Sequence, residues 1–91
     1  MVAAVVLMRA ERDRIPEAAK QVAGIPGVAE VYSVSGEWDL VGIIRVPEWE
    51  QIATVVTERL ARVEGLTATH TLVAFRVYSS EDLESAFDIF E

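Results

Sequence analysis

Val2–Met8 is apolar at every position and is closed by the charged stretch Arg9–Arg14. A run of this length, rich in valine, predicts a strand covered on both faces. Ile15, Ala18, Ala19 and Val22 follow at i, i+3, i+4 and i+7, the spacing of a helix with one apolar stripe. Pro16 fits its first turn, where the N–H groups have no intrahelical partner. The helix is predicted to stop before Gly24–Gly27, where Pro26 and two glycines break it. Val28, Val31, Tyr32 and Val34 then predict a strand running to Ser35–Gly36, and Trp38–Val46 predicts another. The short Ser35–Glu37 link implies an antiparallel hairpin, since parallel strands need a crossover of about a dozen residues. Pro47 opens a second helix, with Trp49, Ile52, Ala53, Val56, Leu60 and Val63 at helical spacing and Gly65 placed as its left-handed stop. Thr67–Tyr78, β-branched and aromatic, predicts a long final strand.

The order is therefore β-α-β-β-α-β. Its halves echo each other, each passing from a helix through Gly and an aliphatic residue (Gly27–Val28, Gly65–Leu66) into a strand. This is the ferredoxin-like α+β arrangement: a four-stranded antiparallel sheet with both helices on one face. Residues 1–78 form one domain. Residues 79–91 form an acidic tail in which Leu83, Ala86, Phe87 and Phe90 again keep helical spacing, either as a short helix or as a docked segment.

Two helices cover one face of such a sheet, and the other should be polar in a monomer. Instead the first strand is apolar throughout, Leu40, Val41, Ile43 and Ile44 repeat this in the third, and Leu72, Val73 and Phe75 do so in the fourth. At ~25 cal/mol per Å² of apolar area, leaving that face wet forfeits many kcal/mol. A patch of this kind marks an interface. Self-association is expected, with two sheets packed face to face as a dimeric α/β barrel.

Charge narrows the function. Eight Lys+Arg against fifteen Asp+Glu give −7, and five of those acids lie in residues 79–91, so the first 78 residues carry only −2. A nucleic-acid binder needs a basic footprint for phosphates, and this chain lacks one. There is no Cys, which excludes a disulfide framework, thiol catalysis and Cys-type metal sites. Val2–Met8 is too short to span a membrane and lacks the charged flank of a signal peptide. The chain reads as soluble and cytoplasmic.

Candidate chemistry is sparse. His70 is the single histidine, able in principle to act as a general base, but no nucleophile motif or second His accompanies it. A packing or hydrogen-bonding role is the simpler reading. The carboxylates do not converge in metal-ligand spacing, and Glu11, Asp13, Glu48 and Glu50 suit helix starts. No Gly-rich phosphate cradle is present, and nothing in the chain calls for a cofactor. Trp49 sits on the helical stripe and reads as core. Trp38 follows the turn and is open to either a packing or a ligand-stacking role. The hairpin Val34–Leu40 carries two readings as well: a tight turn with Gly36 at positive φ and Asp39 capping backbone donors, or a small polar site at a sheet end.

The residues Gly27-Val28, then Ser35-Gly36-x-aromatic-Asp39-Leu40, then Glu64-Gly65-Leu66-x-x-Thr69-x-Thr71 resemble the effector-binding, or RAM, domain of the Lrp/AsnC (feast/famine) transcriptional regulators. The resemblance covers residues 2–78. It implies a βαββαβ fold, sheet-to-sheet dimers that assemble into tetramers or octamers, and an amino-acid effector bound between subunits. It places Gly36, Trp38 and Asp39 on the hairpin side of that site, and Leu66, Thr67, Thr69 and Thr71 on the partner side. Two departures stand out. Met1 begins directly at the first strand, with no helix-turn-helix domain before it, and Trp38 stands where Tyr is common. The resemblance thus implies a stand-alone amino-acid-sensing and oligomerisation module that binds no nucleic acid directly and modulates a full-length regulator. The alternative is a small dimeric α/β-barrel enzyme, a cofactor-free monooxygenase or isomerase, using His70.

Overall fold

The computed structural model describes residues 1–78. The strands are β1 (Val2–Ala10), β2 (Val28–Ser33), β3 (Leu40–Val46) and β4 (Leu66–Val73), and the first helix is α1 (Ile15–Ala23). They form one antiparallel sheet in the order β2-β3-β1-β4. The second helix, α2, is α-helical over Trp49–Ala53, π-helical over Thr54–Arg59 and 3-10 over Leu60–Arg62. The expected βαββαβ order and helix–sheet layering are present.

The strand pleat sorts β1 into two faces. Ala4, Val6, Met8 and Ala10 are buried beneath the helices. They pack with Leu40, Ile44 and Val46 of β3, Ala18 and Val22 of α1, and Ile52, Val55 and Leu60 of α2. Gly42 lies under the terminal methyl of Met8, where a Cβ would stand 3.1 Å from it. On the other face Val5 pairs with Ile43 and Leu72, and Leu7 pairs with Val41 and His70. Both helices lie on the opposite side, so this second face is open, and it is apolar at its centre. At its β2 edge Glu30 accepts from the Tyr32 hydroxyl and pairs with Arg45 at 3.5 Å. The hydrogen bond to Glu30 pushes the Tyr32 pKa above its ordinary value.

Three local expectations need correction. The fourth strand ends at Val73 rather than Tyr78, with one further backbone bond from Ala74 N–H to the Ala3 carbonyl. Among the described residues its one neighbour in the sheet is β1, whose first residue, Val2, stands opposite Phe75 in this register, so Arg76–Tyr78 have no strand to pair with. Phe75 is 95% exposed. The third strand starts at Leu40, not Trp38, which leaves a six-residue connection after Ser33. Trp49 is not core but 55% exposed. It is the first residue of α2 and lies past the end of the buried layer, beside a groove shared with Met1 and Phe75. The acidic tail, residues 79–91, lies outside the described residues.

Candidate functional site

The hairpin connection between β2 and β3 is closed by Val34 N–H donating to the Asp39 carbonyl at 3.0 Å. Gly36 takes φ +107°, a left-handed conformation cheap only for glycine, and a Cβ there would meet nothing within 4 Å. Asp39 fastens this loop to β1 twice. Its N–H donates to the Met8 carbonyl at 2.9 Å, and its Oδ2 accepts the Ala10 N–H at 2.9 Å. Ala10 sits where the β1–β4 register shifts by a bulge. Its N–H points to the β3 side, where pairing ends at Met8 opposite Leu40, so no ladder acceptor reaches it and the Asp39 carboxylate takes it. Its other oxygen has no partner among the described residues.

Four side chains meet beside this loop on the open face. The Arg9 guanidinium lies over the Trp38 ring, 4.9 Å from its centroid, and Arg9 Nη2 donates to Glu37 Oε1 at 2.8 Å. The Trp38 and His70 rings are 6.2 Å apart and tilted by 37°. Arg9 Nε is buried without a hydrogen-bond partner among the described residues. The stacking of a guanidinium on an indole is worth about 0.5–1 kcal/mol at an exposed site, so it orients both groups more than it stabilises the fold. Arg9 was not singled out in the sequence. Its one local signal is its position, as the charged residue closing an otherwise apolar strand on the face that carries Val5 and Leu7.

Gly36, Trp38 and Asp39 are therefore together at one end of the sheet. The threonines are not with them. Thr69 pairs with Met8 and Thr71 with Val6, which puts both on the helix side of β4, while His70 between them faces the open side. Leu66, Thr67 and Thr69 line a separate cleft of about 290 Å³ against Val56, Leu60 and Val63. Within one chain the two groups of expected site residues lie on opposite faces of the sheet. No group of three or more His, Asp or Glu able to hold a metal occurs among the described residues, and no described helix is long and apolar enough to cross a membrane.

The profile of the Lrp/AsnC ligand binding domain matches residues 3–83. The chain belongs to this family. It is 42% identical over 65 residues to an HTH-type transcriptional regulator of Pyrococcus horikoshii, a match covering 71% of this chain and 43% of that relative. The Lrp/AsnC domain thus spans less than half the length of the curated regulators it resembles. Among solved structures, the protein TTHA0845 from Thermus thermophilus is 42% identical with a TM-score of 0.81, over 87% of this chain and 99% of that one. A Neisseria meningitidis transcriptional regulator solved with L-Met shares the fold alone, at 15% identity and a TM-score of 0.75, over 86% of this chain and 52% of that one. The Lrp/AsnC fold is the ligand-binding part of transcriptional regulators, which accounts for the ferredoxin-like sheet.

Proposed function

We propose that this Lrp/AsnC domain senses a small amino acid between subunits, self-associates, and modulates a full-length transcriptional regulator in the cytoplasm, without catalysing a reaction. The observation that carries the reading is the open sheet face. Val5, Leu7, Val41, Ile43 and Leu72 form an apolar centre that a second copy covers, with the Trp38–Arg9–His70 cluster at its rim. Face-to-face packing of two such sheets makes the dimeric barrel.

The placement of the site residues then sets the level of assembly at which a pocket closes. Gly36, Trp38 and Asp39 come from one subunit, while Leu66, Thr67, Thr69 and Thr71, on the far side of the sheet, come from a neighbour. That arrangement favours a pocket between dimers in a tetramer or octamer. The free oxygen of Asp39 pairs with the ligand ammonium, and threonine hydroxyls and backbone N–H groups near Gly36 meet its carboxylate. The acidic tail docks on a neighbouring subunit, the exposed apolar groups Met1, Trp49, Phe75 and Val77 offering its stripe a surface. The L-Met complex of the Neisseria regulator supports the ligand class.

A thermal-shift screen of the twenty amino acids identifies the ligand, because binding to the native state alone raises stability by RT ln(1 + [L]/Kd). Calorimetry on Asp39→Asn then tests the site. The substitution keeps the shape and an acceptor for Ala10 N–H but removes the charge. Loss of a charge-assisted bond worth ~1.5–3 kcal/mol weakens binding on the order of tenfold to a hundredfold. Unchanged affinity would assign Asp39 to the turn alone.

A further inference from the structure

The backbone of α2 departs from α geometry over Thr54–Arg59, where the Leu60 N–H donates to the Val55 carbonyl, five residues back. π-helical turns are rare and are frequently found at functional sites. This one borders a cavity of about 510 Å³, within the ~300–1,000 Å³ of small-molecule pockets. The cavity lies at the β2-start and β3-end edge of the sheet, the opposite end from Gly36 and Asp39. Gly27, also in the lining and at φ +100°, packs directly against this segment: a Cβ there would stand 2.8 Å from Val55 Cγ2. Two unusual backbone segments therefore frame one space.

Its lining has a consistent chemistry. Pro26 and Pro47 give exposed apolar walls over Val46 and Val55, which are almost wholly buried, and Gln51, Thr54 and Arg59 add polar groups from successive turns of α2. Arg59 Nη1 donates to the Pro26 carbonyl at 2.7 Å, which ties α2 to the turn before β2 and fixes the guanidinium at the rim. Its remaining N–H groups have no acceptor, and no carboxylate lies within 4 Å of it, among the described residues. The Gln51 Oε1 is occupied by the Glu48 N–H at 2.9 Å, so Gln51 has its amide N–H groups left to offer. The neighbouring Arg45 is spent on Glu30. The lining contains no acid. A fixed guanidinium with free parallel donors matches a carboxylate or a phosphate through a bidentate pair, and the exposed Pro26 and Pro47 beside it favour an anion that carries hydrocarbon.

We propose that this cleft is a second ligand site, independent of the hairpin site, which binds a short aliphatic carboxylate: carboxylate on Arg59, hydrocarbon on Pro26 and Pro47. The test is an amide NMR titration of the full chain with butyrate and, separately, with inorganic phosphate, on the wild type, Arg59→Gln and Arg59→Lys. Butyrate should give saturable shifts at Gly27, Val46, Thr54 and Val55. Arg59→Gln should weaken them about tenfold or more, the loss expected for a charge-assisted bond, and Arg59→Lys should bind between the two. Phosphate, with no hydrocarbon to place, should bind more weakly than butyrate. Shifts confined to Gly36–Asp39 or Thr67–Thr71, shifts that never saturate, equal binding of phosphate, or an affinity indifferent to Arg59→Lys would each overturn the proposal. If Arg59→Gln loses its folded spectrum, the Arg59→Lys comparison decides alone.

Discussion

Asp39 satisfies a backbone donor, the Ala10 N–H, that lies beyond the start of β3 and so has no ladder partner; its removal costs more than the bond it makes. Asp39→Ala should destabilise the fold by about 1–3 kcal/mol in denaturant unfolding, and Asp39→Asn, which still offers an acceptor, by clearly less. Equal losses would mean that the negative charge, rather than the acceptor, holds the loop. Two glycines separate backbone strain from crowding. Gly36→Ala meets open space and incurs only the left-handed penalty, about 1–2 kcal/mol. Gly27→Ala adds a Cβ 2.8 Å from Val55 and 3.1 Å from Val46, so it should cost at least another ~1 kcal/mol by overpacking. Melts of the two variants compare these directly. The conformation of Gly36 was legible in the sequence because turn chemistry is local. For Asp39 the sequence indicated an acceptor for backbone donors, but the donor it takes, Ala10 N–H, lies on β1 and not in the turn. Arg9 was not legible, because its partners Glu37 and Trp38 lie far along the chain and meet it only after the hairpin folds onto β1.

Local periodicity placed all four strands and both helices, since burial of one face imposes it. What it missed at this scale is where an element loses its neighbour or changes its winding. The length of β4 depends on where β1 begins, which no pattern within Thr67–Tyr78 encodes. The exposure of Trp49 depends likewise on the sheet ending beneath it. The π segment has a local cause visible after the fact. Thr54, Val55, Val56 and Thr57 are four β-branched residues in a row, and the Thr57 hydroxyl donates to the Ala53 carbonyl at 2.6 Å, competing with the backbone N–H that an α-helix would send there. Thr57→Ala removes that competitor at an exposed position. It should raise stability by roughly 0.5 kcal/mol and shift the backbone carbons of 53–57 toward α-helical values. A loss of stability would show that the π turn is required by packing.

For the molecule as a whole, charge and hydrophobic surface point to different partners. At −7, with no reading helix among the described residues, the isolated chain should not shift duplex DNA in a gel at concentrations of about 100 μM or below, the range in which even non-specific binders act. The open apolar face should instead bring together copies of the chain. Its central pairs, Val5 with Ile43 and Leu7 with Val41, contribute little to the helix-side core, so a charge placed there separates association from folding. Analytical ultracentrifugation of the wild type and Leu7→Asp across the micromolar range is the most direct measurement. The wild type should sediment as a dimer or larger, and Leu7→Asp as a folded 10.0 kDa monomer with an unchanged far-UV spectrum. A folded, soluble wild-type monomer throughout that range would contradict the account.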